Sequence, residues 1–105
     1  MALRICAVDD IPKGKAIRIK LGDEAIAIVR TDAGDVKAIN DKCSHGEISL
    51  SEGFVDDNTI ECWAHGAKFS LDTGEALTLP AFEPVEVYPV IIEEGTIFLD
   101  YDPEN

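Results

Sequence analysis

Over residues 16–21 the apolar side chains of Ile17, Ile19 and Leu21 alternate with Arg18 and Lys20, the period-2 mark of a half-buried strand. A turn at "GDE" follows, then two β-rich runs, "AIAIVR" and "VKAI", separated by "TDAGD", where Gly34 can supply the positive φ of a hairpin reversal. "LRICAV" near the N-terminus reads as another strand, and "TIEC" and "KFSL" as short ones, the latter closed by a turn at "DTG". "EVYPVIIE" and "TIFLDY" are expected to form a final hairpin across Glu94 and Gly95, with Pro89 placing the first run at a sheet edge or bulge, because proline donates nothing to a ladder. Helical periodicity is hard to find. Short strands at regular spacing with turn signals between them predict an all-β fold, an antiparallel sandwich or barrel, in one domain over 1–105 without repeats or linkers.

One stretch breaks the pattern. Residues 43–58, "CSHGEISLSEGFVDDN", carry few β signals and much Gly, Ser and Asp, so they are expected to be an irregular loop, and a loop this long in a small domain is usually functional. Composition narrows its use. With 46% apolar and 29% charged residues the chain is expected to be a folded globular protein, and it has neither a transmembrane-length apolar run nor a signal-peptide pattern, which predicts no membrane association and a cytoplasmic location. The net charge of -12 disfavours nucleic acid and anionic membranes. It suits a partner with a basic docking patch, and equally suits a protein that merely stays soluble. Three cysteines are an odd number for a disulfide framework, which leaves free thiols or metal ligands as the better readings.

The metal reading has a specific pattern behind it. Two cysteines and both histidines fall into Cys43-x-His45 and Cys62-x-x-His65, separated by sixteen residues, and each histidine is followed by glycine. Zinc and a Rieske [2Fe-2S] centre are the candidates for two thiolates and two imidazoles. Structural zinc sites usually pair like with like, as Cys-x(2 to 4)-Cys and His-x(3 to 5)-His. A Rieske centre puts two cysteines on one iron and two histidines on the other, so mixed pairs on two loops meet its requirement directly.

These motifs strongly resemble the Rieske iron-sulfur signature, and the resemblance extends over nearly the whole chain. It implies a β base with a small inserted cluster-binding subdomain at approximately 41–80, and one [2Fe-2S] cluster held by Cys43, His45, Cys62 and His65. Cys43 and Cys62 would bind the buried iron, and His45 and His65 the outer one. "LPAFEP" at 79–84 is similar to the proline-containing loop that shields the cluster. High-potential members add a disulfide between the two loops, at positions that here hold Ile48 and Ala64. They also carry hydroxyl donors to cluster sulfur where this chain has Ala67 and Phe69. Fewer donors to sulfur stabilise an added electron less, so a potential at the low end of the Rieske range of about -150 to +300 mV is expected.

The ferredoxins of this type pass single electrons from a flavin-containing NAD(P)H-dependent reductase to a terminal ring-hydroxylating dioxygenase. The resemblance thus implies a monomeric, non-catalytic electron carrier, consistent with the lack of any spare histidine for acid-base work. Three rivals stay open: the small subunit of an assimilatory nitrite reductase, a zinc-binding module, and a Rieske domain cut from a larger oxygenase. Trp63 is expected to pack the ligand loops together, Cys6 to be a small buried hydrophobe, and Glu47, Glu52, Asp56 and Asp57 to be solvated.

Overall fold

The computed structural model describes residues 2–22, 24–41, 49–63, 66–78 and 84–100. Among them the chain forms ten strands: β1 (Ala2–Ala7), β2 (Lys15–Leu21), β3 (Glu24–Arg30), β4 (Val36–Asn40), β5 (Phe54–Asp56), β6 (Thr59–Glu61), β7 (Lys68–Ser70), β8 (Val87–Tyr88), β9 (Val90–Glu93) and β10 (Thr96–Asp100). Single 3-10 turns occupy Val8–Asp10 and Leu50–Glu52, and no α-helix occurs among the described residues, so none there is long and apolar enough to cross a membrane. The strands form three antiparallel sheets of order β1-β10-β9, β2-β3-β4-β8 and β5-β6-β7. The all-β expectation is met.

The four-stranded sheet lies between two cores, and β3 shows why. Its sequence "EAIAIVR" is apolar at five consecutive positions, which a strand covered on both faces requires. Ile26 and Ile28 point into one core with Val36, Ala38, Ile97 and Leu99. Ala27 and Val29 point the other way, against Ile39, Leu50, Ile60, Cys62, Phe69 and Leu71. All four β3 residues are fully buried, and each Ile buried in this way contributes about 1.5–3 kcal/mol. The larger isoleucines face the β1-β10-β9 sheet, and the smaller Ala27 and Val29 leave room for Phe69 of β7.

Two expectations are corrected. The stretch expected to be irregular over 43–58 contains, in its described part, the 3-10 turn Leu50–Glu52 and strand β5, which pairs with β6 as Phe54 with Glu61, Val55 with Ile60 and Asp56 with Thr59. Three residues are too few for alternation to be visible, and Asp57 and Asn58, read as loop, are the hairpin turn: Asp57 takes a φ of 55° and the Thr59 hydroxyl donates to Asp56 O at 2.7 Å. "EVYPVIIE" is likewise not one strand. It divides at Pro89 into β8, which edges the four-stranded sheet, and β9, which edges the β1-β10-β9 sheet. Proline stands where the chain leaves one ladder for another, and its carbonyl accepts from Asp100 N at 3.0 Å. The hairpin of β9 with β10 turns at Glu94 (φ 51°) and Gly95 (φ 78°) as expected.

Candidate metal centre

Of the four ligand candidates, Cys62 is described; Cys43, His45 and His65 lie outside the described residues, as do Ile48, Ala64 and residues 79–83 of the loop at 79–84. What is described is the root of each of the three loops that carry them.

The second loop leaves β6 and returns to β7. Cys62 N–H donates to Ala67 O at 2.7 Å and Gly66 N–H donates to Cys62 O at 2.9 Å, so the backbone ties the two ends of this loop, Cys62 and Gly66–Ala67, directly to each other. Gly66 supports it with a φ of 72°, on a side where an added Cβ would meet nothing. Cys62 is wholly buried and its thiol is free, in a core with Leu50, Ile60, Ala67 and Phe69. A thiol sequestered among apolar side chains suits a ligand of the inner iron and is hidden from water-borne oxidants.

The first loop leaves β4 and returns at the 3-10 turn. Asp41 N–H donates to Ala25 O at 2.9 Å, and Asp41 O accepts from Leu50 N–H at 2.6 Å. The Asp41 carboxylate accepts from Ser51 N–H at 2.7 Å and from the Ser49 hydroxyl, and pairs with Arg18 Nε at 3.2 Å. Leu50 then drops into the core that holds Cys62, and Gly53 passes the β6 backbone so closely that a Cβ there would lie on Glu61 O. The return of the first loop is thereby seated against the residue that precedes Cys62.

Around the third loop, Leu77 N–H donates to Lys68 O at 2.7 Å, and the Thr78 hydroxyl accepts from Lys68 N–H at 2.9 Å while donating to Gly66 O at 3.3 Å. After residues 79–83, Val85 N–H donates to Gly74 O at 2.8 Å. Lys37 of β4 reaches Asp72, in the turn after β7, at 2.8 Å, and its hydrogen bond holds the Asp72 carboxyl below the usual carboxylate range. The roots of the first and second loops and the departure of the third meet at the end of the β5-β6-β7 sheet where Phe54, Glu61 and Lys68 pair, the convergence that two cysteines and two histidines need to share a two-iron group; the third loop returns at Val85 beside Gly74, at the Ser70 end. The donor set fits a [2Fe-2S] cluster, with Cys62 already facing an apolar interior.

Four other positions singled out by the sequence have a place in the structure. Ala67 and Phe69 are both fully buried and bring no hydroxyl to the site. Trp63, expected to pack the ligand loops together, is 51% exposed; the loop residues it would pack against lie outside the described residues. Cys6 belongs to the opposite core, at a bulge in β1, and is partly rather than fully buried; burial pushes its thiol up, with Asp10 adding to the rise and Arg4 opposing it. Asp41, Ser49, Ser51 and Thr78 carry no motif signal and emerge only from their long-range hydrogen bonds.

Comparison with known proteins agrees with this geometry. The family model described as Rieske [2Fe-2S] domain matches residues 1–89. The chain is 50% identical over 96 residues to the 3-phenylpropionate/cinnamic acid dioxygenase ferredoxin subunit of Escherichia coli (strain K12), covering 90% of this chain and 89% of that one. It superposes with a TM-score of 0.86 and 35% identity on a chain of the complex of reduced oxygenase and oxidized ferredoxin in carbazole 1,9a-dioxygenase, covering 93% of this chain and 100% of that one. A putative NADH-dependent nitrite reductase small subunit from Mycobacterium tuberculosis superposes with a TM-score of 0.84 at 27% identity, covering 94% of this chain and 93% of that one.

Proposed function

The chain belongs to the Rieske [2Fe-2S] domain family, and from that premise we propose that it is the ferredoxin of a ring-hydroxylating dioxygenase system, a one-electron carrier that delivers electrons to the terminal oxygenase. It carries a Rieske-type [2Fe-2S] cluster and is an electron-transfer component rather than the catalytic oxygenase. The observation that carries the proposal is the meeting of the loop roots: two mixed Cys/His pairs stand on loops whose ends the backbone brings to one end of the β5-β6-β7 sheet, with Cys62 buried beside Leu50.

On this reading Cys43 and Cys62 hold the inner iron and His45 and His65 the outer one, within a cluster-binding subdomain at about 41–80 set on a base formed by the rest of 1–105; the separate β5-β6-β7 sheet supports that division. The cluster, when bound, supplies a one-electron couple whose charge runs from zero to -1, because thiolates and sulfides balance the two ferric ions when the other ligands are neutral imidazoles. The chain's own share is to exclude water from the thiolate side through Leu50, Ile60 and Phe69, and to present a small docking face. Trp63, 51% exposed between two of the ligands, offers apolar area there, and the net charge of -12 favours a partner with a basic rim. Such contacts typically bury less than about 1,200 Å² and form transiently. A flavoprotein NAD(P)H-dependent reductase as electron donor, a monomeric state and a cytoplasmic location complete the proposal.

The reading as a nitrite reductase small subunit is weaker, since 27% identity stands against 50% to a dioxygenase ferredoxin subunit. Purified protein should contain two irons and two acid-labile sulfides per chain, give a Rieske EPR spectrum on reduction, and pass electrons from reductase to oxygenase in a reconstituted system. One zinc without sulfide, or co-purification with a sirohaem subunit, would overturn the proposal.

Phe69 and Ala67 lead to a second expectation. A hydroxyl that donates to cluster sulfur favours the reduced form, and one neutral hydrogen bond of about 1 kcal/mol corresponds to about 40 mV for one electron. Phe69→Tyr is therefore expected to raise the midpoint potential by about that amount, measured by protein-film voltammetry. An equal or lower potential in a variant that keeps its cluster would refute a donor position at 69.

A further inference from the structure

We propose that Asp41 is a positioning residue for the cluster, acting as a clamp that sets the span of the first ligand loop; this rests on the assignment of Cys43 and His45 as ligands. Its side chain is 2% exposed, and among the described residues its carboxylate takes contacts from Ser49 and Ser51, on the far side of the loop, and from Arg18. On the near side of residues 42–48, Asp41 N–H is tied to Ala25 O of β3. On the far side, three successive residues come back to Asp41: the Ser49 hydroxyl to Oδ2, Leu50 N–H to the main-chain carbonyl at 2.6 Å, and Ser51 N–H to Oδ1 at 2.7 Å. Ser49 and Ser51 also join each other through their hydroxyls at 2.8 Å. A single residue thus holds both ends of the segment that bears two of the four ligands.

The geometry separates this role from that of a surface ion pair. Arg18, the cationic partner at 3.2 Å, is 58% exposed, and an ion pair with one partner that exposed contributes little. The bonds from Ser49 and Ser51 instead end on a buried carboxylate, where charge-assisted hydrogen bonds are strong and orphaned donors are costly. A fixed loop span lowers the entropy that the ligands must lose when they take up iron and sulfide, the same advantage that any preorganised site has. The consequence should appear in how long the cluster is retained and how uniform its environment is, beyond any effect on global stability.

The experiment compares purified holoproteins of the wild type and the variants Asp41→Asn, Ser49→Ala, Arg18→Gln and Leu99→Ala, the last removing side-chain volume from the opposite core. Cluster loss is followed by visible absorbance under excess chelator, the reduced EPR spectrum is recorded, and Tm is measured for each. Asp41→Asn keeps an acceptor for Ser51 N–H but turns an NH2 group toward both Ser49 and Arg18, which share Oδ2. It is expected to lose its cluster about tenfold faster than the wild type, the factor equivalent to one charge-assisted hydrogen bond, and to show a broadened EPR spectrum. Ser49→Ala is expected to lie between the two, and Arg18→Gln at the wild-type rate. Leu99→Ala is expected to melt lower than the wild type while keeping its cluster lifetime and line width. A wild-type lifetime and line width in Asp41→Asn, an Arg18→Gln as damaging as Asp41→Asn, or a release rate that simply follows Tm across the set would each overturn the clamp while leaving the ligand assignment intact. A wild-type protein without a Rieske spectrum would overturn the assignment itself, and the clamp with it.

Discussion

The variant His65→Cys is expected to keep a two-iron cluster and to lower its midpoint potential by roughly 100 mV or more. With two thiolates and two neutral imidazoles the oxidised group carries no net charge. A third thiolate makes it -1, so the incoming electron meets an existing negative charge. All-cysteine plant-type clusters lie near about -400 mV, whereas Rieske centres begin at about -150 mV, a gap of roughly 250 mV for two ligand exchanges. One exchange should cover about half of it. Voltammetry together with EPR of the reduced variant checks both parts: the potential must fall, and the Rieske line shape must give way to one closer to that of a plant-type ferredoxin. An unchanged potential would remove His65 from the ligand set. Cys6 provides a control, because it sits in the opposite core, and Cys6→Ala should leave the potential where it was.

The second large effect concerns the backbone that carries the third loop. Gly74 has a φ of 78°, and a Cβ added there would fall on the carbonyl oxygen of Val85, a main-chain atom that cannot swing aside. Its amide donates to Ser70 O at 2.9 Å and its carbonyl accepts from Val85 N–H at 2.8 Å, so any shift that relieves the clash breaks the bond by which the chain returns after residues 79–83. Gly74→Ala is expected to cost about 3 kcal/mol, combining an unfavourable φ with the lost bond, and to lower Tm by about 15 °C. Gly22→Ala isolates the first contribution, since Gly22 also has a positive φ, 63°, but open space where the Cβ would go. That variant should lose only about 1 kcal/mol. Equal losses in thermal melts of the two would show that the approach of Val85 to Gly74 carries no weight.

Much of this architecture is visible in the chain's local patterns. The hairpin of β3 with β4 and that of β9 with β10 are announced by alternation or apolar runs around Gly34 and Gly95, because a reversal needs positive φ and glycine supplies it. The proposed ligand quartet stands out because few side chains can bind iron, and the mixed spacing matches one metal group better than another. Strand β5 leaves no local signal, since Phe54, Val55 and Asp56 are too short a run to show a period, and the division at Pro89 is not legible because proline signals an edge without saying that two different edges meet there. The half exposure of Trp63 is likewise invisible in the sequence, because it depends on how the turn at Cys62 and Gly66 is closed, which composition does not encode.

Sequence alone therefore determined the all-β class, most hairpins, and the chemistry of the cluster with its family, since these follow from side-chain identity and from spacing over a few residues. Tertiary structure decided the rest. It made β3 the strand shared by two cores, brought Gly53 against Glu61 and Gly74 against Val85, and turned Asp41 from one acid among 21 Asp and Glu into the closure of a ligand loop. Those relations join positions far apart along the chain, such as Arg18 with Asp41 and Lys37 with Asp72, by hydrogen bonds and van der Waals exclusion. Such contacts leave no periodic trace in the sequence, because nothing in the local backbone requires them until the sheets have packed.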